Sequence, residues 1–157
     1  MSQKKLGRFL LFLAVNFFAL YVGVQLMGDG SRSEWYVTLN KAPWGPPNWL
    51  FGVAWTTIMV LYALYMTKLT FAFPYFDKKL LFLYSLQWVL NVSWNYAFFN
   101  KHNTVAGLII IISLLVLIAF FTGNFRKETK VFTIGIVPYL IWLALATSLN
   151  AYIVFNN

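Results

Sequence analysis

The sequence contains no cysteine, only four acidic residues and a single histidine among its 157 residues. The lack of cysteine excludes disulfides, thiol nucleophiles and thiolate metal ligands. Charged residues make up 10% of the chain, against roughly 25% in an ordinary soluble domain. Because 61% of the residues are hydrophobic and so few charges cannot cover a soluble surface, the composition indicates a membrane protein.

Long uncharged stretches alternate with short basic clusters along the whole chain. A helix that rises ~1.5 Å per residue needs about 20 residues to cross a hydrocarbon core of ~30 Å, and each stretch is about that long. The first stretch follows a basic segment, as a signal peptide does, but it is longer than a usual signal core and ends without a small-residue cleavage site, which predicts a retained helix. The sequence therefore predicts an all-α membrane protein with one domain over residues 1–157, a five transmembrane helix bundle with helices at about 6–27, 46–67, 79–100, 104–124 and 130–155.

The basic residues are distributed unevenly between the two ends of the predicted helices. Nine of the 12 lie in the N-terminal segment and in the second and fourth loops. Since cytoplasmic loops carry an excess of lysine and arginine, this distribution predicts a cytoplasmic N-terminus and a C-terminus outside the cell. The net charge of +8 would suggest nucleic acid as a partner of a soluble protein, but its placement at helix ends argues against that partner.

No acidic, basic or histidine side chain lies near the middle of a predicted helix. Proton-coupled transporters and voltage sensors place such groups at membrane depth, so this absence weighs against those functions. The single histidine, His102, follows Lys101 at a predicted helix end and is interpreted as an interfacial loop residue. A metal site is not predicted, because no second ligand lies in the interior.

The third predicted helix carries a polar and aromatic face formed by Gln87, Asn91, Trp94, Asn95 and Phe98. Their spacing places them on one side of a helix. Amides facing lipid are costly, so this face should point into the bundle. One interpretation is packing alone, because interhelical hydrogen bonds of such amides contribute about 0.6–2 kcal/mol each.

Two tryptophans are predicted to lie deep in the membrane, away from the interfacial belt that tryptophan prefers. Trp55 is about 13 Å from the start of its helix by helical rise, and Trp142 is near the centre of the last helix. A buried indole N–H needs a hydrogen-bond partner, and its ring offers a flat apolar wall. Together with inward amides, these residues suit a flat, mostly apolar ligand with a few polar groups.

The loop before the second predicted helix, WYVTLNKAPWGPPNWLFGVAW from Trp35 to Trp55, concentrates tryptophans and prolines. Pro46 and Pro47 are expected in the first helical turn, where proline costs no hydrogen bond. Residues that precede proline favour extended conformations. We therefore expect a short helical turn over residues 34–41, then an extended segment, forming a stiff cap over the outer mouth of the bundle.

Four segments resemble signature segments of the translocator protein / tryptophan-rich sensory protein (TspO/MBR) family: WYxxLxK, WxPPxWxFGxxW, LNxxWNxxFF (Leu90 to Phe99) and PYLxWxxxAxxLN (Pro138 to Asn150). They occur in the family's order and cover most of the chain. The resemblance implies a five-helix bacterial cell-membrane protein, a homodimer, and a cavity below the first loop that binds porphyrins or benzodiazepine-type drugs. It implies a ligand site formed by Tyr36, Pro46, Trp55, Asn91, Trp94, Trp142 and Ala146, with Met59 and Asn95 as neighbours.

Three departures from the family pattern bear on this expectation, one of which is Met59 in place of a family-typical aromatic or aliphatic lining residue. The chain has Lys41-Ala42, with Pro43 following, where the family more often has lysine and proline. The animal-type sterol motif needs a basic residue shortly after a tyrosine of the last helix, yet Tyr152 is followed by IVFNN, so sterol binding through that motif is not predicted.

Three functions remain open from the sequence. The first is a membrane-embedded sensor, scavenger or carrier of tetrapyrroles, with protoporphyrin IX or heme as ligand and no required cofactor. The second, which the resemblance implies, is light- and oxygen-dependent degradation of protoporphyrin IX. Because no acid or base is available at depth, that chemistry would come from the photosensitised pigment and the indoles of Trp55 and Trp142. The third is a structural scaffold in the lipid bilayer whose aromatic residues only pack.

Overall fold

The computed structural model describes residues 2–73 and 77–157, and within these ranges every regular element is helical. The predicted all-α fold class is confirmed. In chain order the elements are α1 (Gln3–Leu26), a 3₁₀ turn (Gly30–Arg32), α2 (Glu34–Thr38), α3 (Asn48–Thr70), α4 (Lys78–Asn95), a π-helical turn (Tyr96–Asn100), α5 (Thr104–Asn124), α6 (Arg126–Thr129), a 3₁₀ segment (Lys130–Gly135) and α7 (Val137–Asn156).

Five long helices form the bundle, with α1 packed against α3 and α4, and α5 packed against α4 and α7. Within the described ranges, four spans are long and apolar enough to cross a membrane: Gln3–Arg32, Asn48–Thr70, Thr104–Asn124 and Val137–Asn156. The fifth long helix, α4, is more polar because it carries Gln87 and Asn91, and both side chains are buried inside the bundle. The predicted inward orientation of this polar face is therefore confirmed.

Two helices begin later than the uncharged stretches predict. Helix α3 begins at Asn48 rather than near residue 46, because Pro47 is its extended N-cap residue (φ −63°, ψ 147°). Helix α7 begins at Val137 rather than near residue 130, with a proline in its first turn. The chain before α7 is broken at Lys130, whose φ of 52° lies in the left-handed region that interrupts a right-handed helix.

Residues 33–47 form a structured connection that we call the lid. The predicted helical turn is confirmed as α2, which begins with the Ser33 hydroxyl accepting from the Tyr36 N–H at 3.2 Å. After α2, the Gly45 N–H donates to the Ala42 carbonyl at 3.0 Å, closing a turn with Pro43 at its second position, where proline is favoured. Ala42 in place of the usual proline therefore leaves a proline-stabilised turn in the lid.

The lid is attached to the C-terminal half of α7 and to the residue that follows it. The Asn40 backbone N–H donates to the Asn157 side-chain oxygen at 2.8 Å, and the Asn157 amide donates to the Asn40 carbonyl at 3.1 Å. The Trp44 indole N–H donates to the Ser148 hydroxyl at 3.2 Å, and its ring contacts Tyr152 edge-on at 5.3 Å. The lid therefore spans the bundle between α1 and α7.

Candidate ligand-binding cavity

A cavity of about 220 Å³ lies between the long helices below the lid. Its walls come from α1, α2, α3, α4, the π-helical turn, α5 and α7. Seven of the nine residues predicted from the sequence line it: Tyr36, Trp55, Asn91, Trp94, Asn95, Trp142 and Ala146. The predicted site is thus largely brought together in one place, while Pro46 and Met59 are outside the lining.

The two exceptions have separate physical reasons. Met59 is one helical turn deeper than Trp55 and lies in the main hydrophobic core, with 1% of its surface exposed. Its backbone carbonyl accepts from the Asn16 side-chain amide at 3.0 Å, which joins α1 to α3 below the cavity. Pro46 lies in the non-helical part of the lid just before α3. It therefore fixes the backbone that leads into the helix and does not contribute to the wall of the cavity.

Tyr36 closes the cavity from the lid side. Its ring packs against Phe98 at 6.3 Å and Phe99 at 5.3 Å between centroids. Burial raises the pKa of the Tyr36 phenol above its usual value of 10.0, so this side chain stays neutral at physiological pH. Tyr36 therefore contributes an aromatic surface and a neutral hydroxyl.

The α4 wall is fixed by Trp94. Its indole N–H donates to the Asn150 side-chain oxygen at 3.1 Å, and the Asn150 amide donates in turn to the Thr104 carbonyl at 3.0 Å. The Trp94 ring stacks on Phe98 at 5.3 Å with an interplanar angle of 13°. These contacts join α4, α5 and α7 and hold one flat side of the cavity rigid.

The π-helical turn at the end of α4 was not predicted from the sequence. The backbone hydrogen bond that defines this turn spans five residues, from the Lys101 N–H to the Tyr96 carbonyl, at 3.0 Å. The turn places the consecutive rings of Phe98 and Phe99 in the cavity lining together. Single π-helical turns inside α-helices occur frequently at functional sites.

A buried polar cluster forms the deep side of the cavity. The Tyr139 hydroxyl accepts from the Asn91 amide at 2.8 Å and from the Gln87 amide at 2.9 Å. The Tyr139 ring contacts Trp55 edge-on, with 5.9 Å between centroids. Asn95 donates to the Asn91 carbonyl at 3.3 Å. The amides predicted to face inward therefore orient the aromatic walls as well as tying helices together.

Trp142 differs from Trp94 because its indole N–H is buried and meets no acceptor in the part of the chain that the structure describes. The ring packs edge-on against Phe51 at 5.2 Å and lines the cavity. A buried donor without a partner costs roughly 1–3 kcal/mol. A ligand with a hydrogen-bond acceptor would remove this penalty on binding.

The cavity offers no charged group for catalysis or metal binding. Apart from the neutral Tyr36, its lining consists of amides, a serine, and aliphatic and aromatic side chains. Over residues 2–73 and 77–157, no group of three or more histidine, cysteine, aspartate or glutamate side chains is placed to hold a metal ion. The chemistry of the cavity is therefore that of an apolar binding site with a few neutral hydrogen-bonding groups.

Sequence reasoning missed the contribution of α1. Leu20 and Val24 line the cavity, and α1 approaches α4 closely because a Cβ atom at Gly23 would lie 2.8 Å from the Asn95 amide nitrogen. Aliphatic residues carry no signal of a site. Gly23 was the available clue, since a glycine inside a helix often marks a close approach.

Comparisons with known proteins identify the family of the chain. The sequence model of the TspO/MBR family matches residues 10–155. The chain is 32% identical over 127 residues to the tryptophan-rich protein TspO of Chlorobaculum tepidum, covering 80% of each chain. It is 32% identical over 142 residues to the tryptophan-rich sensory protein of Cereibacter sphaeroides, covering 90% of this chain and 86% of the relative. It is 31% identical over 134 residues to the human translocator protein, covering 83% and 78%.

Proposed function

The chain belongs to the TspO/MBR family of membrane proteins, and we propose that its cavity binds porphyrins such as protoporphyrin IX or heme. One observation carries the proposal: aromatic and amide residues of the lid, α3, α4 and α7 line a single uncharged cavity. Flat ligands with a few polar atoms match a site of aromatic walls and sparse hydrogen-bonding groups. The protein then acts as a membrane-embedded sensor, scavenger or carrier.

The hydrogen-bonding groups of the cavity favour a ligand that brings acceptors. Trp94 already donates to Asn150, whereas the Trp142 N–H has no acceptor among the residues that the structure describes. Protoporphyrin IX and heme both carry peripheral carboxylates that accept hydrogen bonds. Trp142 is therefore the group through which the cavity would recognise a polar atom of the ligand.

The size of the cavity adds a requirement. Its volume of about 220 Å³ is below the roughly 300–1,000 Å³ of ordinary small-molecule sites. A tetrapyrrole therefore needs additional space, and we expect the lid to move outward on binding. The Trp44–Ser148 hydrogen bond and the Asn40–Asn157 pair would break in that step.

Filling the cavity should weaken porphyrin binding. Ala146 lines the cavity on α7, whereas Ala144 is exposed on the same helix. We expect Ala146→Phe to weaken protoporphyrin IX binding by about tenfold or more, because the ring occupies the space of the ligand and overpacking costs about 1–3 kcal/mol. Fluorescence titration in detergent measures the change, with Ala144→Phe as the matched control.

Equal affinity of Ala146→Phe and wild type would show that porphyrin binds elsewhere. An absence of saturable binding and of thermal stabilisation in the wild type would favour the scaffold function, since a true ligand raises the melting temperature. Photo-oxidative degradation by Trp55 and Trp142 would take place in this same cavity, so saturable binding is also a precondition for that alternative function.

A further inference from the structure

A second cavity, of about 370 Å³, lies at the opposite end of the bundle from the lid. It is formed by the beginning of α1, the end of α3 and the beginning of α4, and it shares no residue with the cavity below the lid. Its lining consists of Arg8, Leu11, Phe12, Val15, Met66, Thr70, Asp77, Leu80, Leu81, Tyr84 and Ser85. We call it the basal groove.

The walls of the basal groove are suited to a hydrocarbon chain. Phe12, Val15 and Met66 form apolar walls between α1 and α3. At its edge, Leu11 and Leu81 have 60% and 55% of their surface exposed. Leu11 lies on a span that is long and apolar enough to cross a membrane, and Leu81 lies on the adjoining α4. The groove therefore opens sideways toward lipid rather than along the bundle axis.

The end of the basal groove at the membrane surface carries a fixed cation. The Arg8 guanidinium donates from Nη1 to the Thr70 carbonyl at 2.7 Å and lies 4.0 Å from the centre of the Phe71 ring. These contacts hold the guanidinium at the rim. Lys78 and Lys79 follow Asp77 in the first turn of α4 and add positive charge to this end of the bundle.

The single acidic group of the lining does not cancel this charge. Asp77 is the N-cap of α4, and its carboxylate accepts from the Leu80 N–H at 2.8 Å. Lys4 and Lys5 lie one turn before Arg8 on α1. The rim therefore carries a net positive charge, and basic pockets between membrane helices attract anionic headgroups.

We propose that the basal groove binds an anionic phospholipid, with one acyl chain along the apolar walls and the phosphate beside Arg8. This site is separate from the porphyrin cavity and does not depend on it. A zwitterionic lipid offers the same chain without the net negative charge, so the groove should distinguish lipids by their headgroups.

The charge part of the proposal is tested with Arg8→Gln. The protein in neutral detergent is titrated with phosphatidylglycerol or phosphatidylcholine, and bound lipid is counted by native mass spectrometry alongside the melting temperature. Wild type should prefer phosphatidylglycerol. Arg8→Gln should reduce that preference by about fivefold, the effect of one basic group near an anionic surface. Arg126→Gln, at an exposed arginine outside the groove, should leave it unchanged.

The groove itself is tested with Ser85→Phe, which fills it without changing any charge. This variant should bind neither lipid at the site, whereas Ser113→Phe, at an exposed serine of α5, should bind as wild type does. Undiminished binding to Ser85→Phe, or equal binding of both lipids to wild type, would overturn the proposal. Equal stabilisation by glycerol 3-phosphate would indicate a soluble phosphate site instead. Porphyrin titration of the same variants should be unaffected.

Discussion

Two tryptophans of the cavity differ in whether the indole N–H has a partner. Trp94 donates to Asn150, which also fixes α5 through its own amide, whereas the Trp142 donor is buried without a described acceptor. Replacing Trp94 by phenylalanine should therefore affect stability more than ligand binding. The same replacement at Trp142 should affect ligand binding more than stability.

We expect Trp94→Phe to lower the free energy of unfolding by about 1 kcal/mol more than Trp142→Phe does, because it leaves the Asn150 oxygen without its donor. Trp142→Phe removes an unpaired donor and should leave the ligand-free protein nearly as stable as wild type. Unfolding in mixed detergent and SDS measures both. A larger loss for Trp142→Phe would mean that its N–H has a partner in the ligand-free protein.

Most of the site residues were predictable because their sequence spacing is that of a helical face. Trp55, Asn91, Trp94 and Trp142 all reach the cavity as that spacing requires. Periodicity gives the face of a helix but not the depth at which a cavity ends. For this reason the spacing does not reveal that Met59, one turn beyond Trp55, lies in the main hydrophobic core and outside the cavity lining.

The lid helix α2 has only five residues, too few for an isolated helix to be stable in water. Lys41 compensates for its short length. The ammonium donates to the carbonyls of Tyr36, Val37 and Leu39 at 2.8, 2.9 and 3.1 Å. A cation at the C-terminal end of a helix also interacts favourably with the helix dipole.

Replacing this ammonium should loosen the lid without disturbing the bundle. We expect Lys41→Met to increase amide hydrogen exchange in residues 34–41 by about tenfold, since hydrogen bonds to charged groups contribute roughly 1.5–3 kcal/mol. Lys101→Met removes the same charge from a lysine near Tyr96 and serves as the control. Unchanged exchange in the lid of Lys41→Met would show that the contacts with α7 alone hold it.

The long helices were predictable from the uncharged stretches, but their first residues were not. Whether Pro47 lies in the first turn or just before it depends on the extended backbone around it, which composition does not reveal. The attachment of the lid was also beyond sequence reasoning. Asn40 and Asn157 are 117 positions apart, and neither residue type is distinctive.

The distribution of charge over the whole bundle predicts its orientation in the membrane. The basal groove and most basic residues occupy one end, and the lid occupies the other. Since basic ends of membrane helices remain in the cytoplasm, the lid should face outward. The absence of cysteine makes this orientation simple to measure with single introduced thiols.

In intact bacterial cells, an impermeant maleimide should label Asn156→Cys at the lid end, whereas Ser2→Cys should react only after the membrane is permeabilised. Both positions are exposed, so topology rather than burial decides their reactivity. The wild-type protein, which contains no cysteine, shows the background labelling. The reverse pattern of labelling would invert the proposed orientation.

The dependence of the cavity on α7 also affects biogenesis. This helix supplies Trp142 and Ala146 to the wall, while Ser148 and Asn157 anchor the lid. Helices α1 to α5 leave the ribosome before it. The chain can insert and begin to pack during synthesis, but the closed cavity requires α7 to enter the bundle. Until then, we expect the aromatic groove between the earlier helices to remain open to lipid.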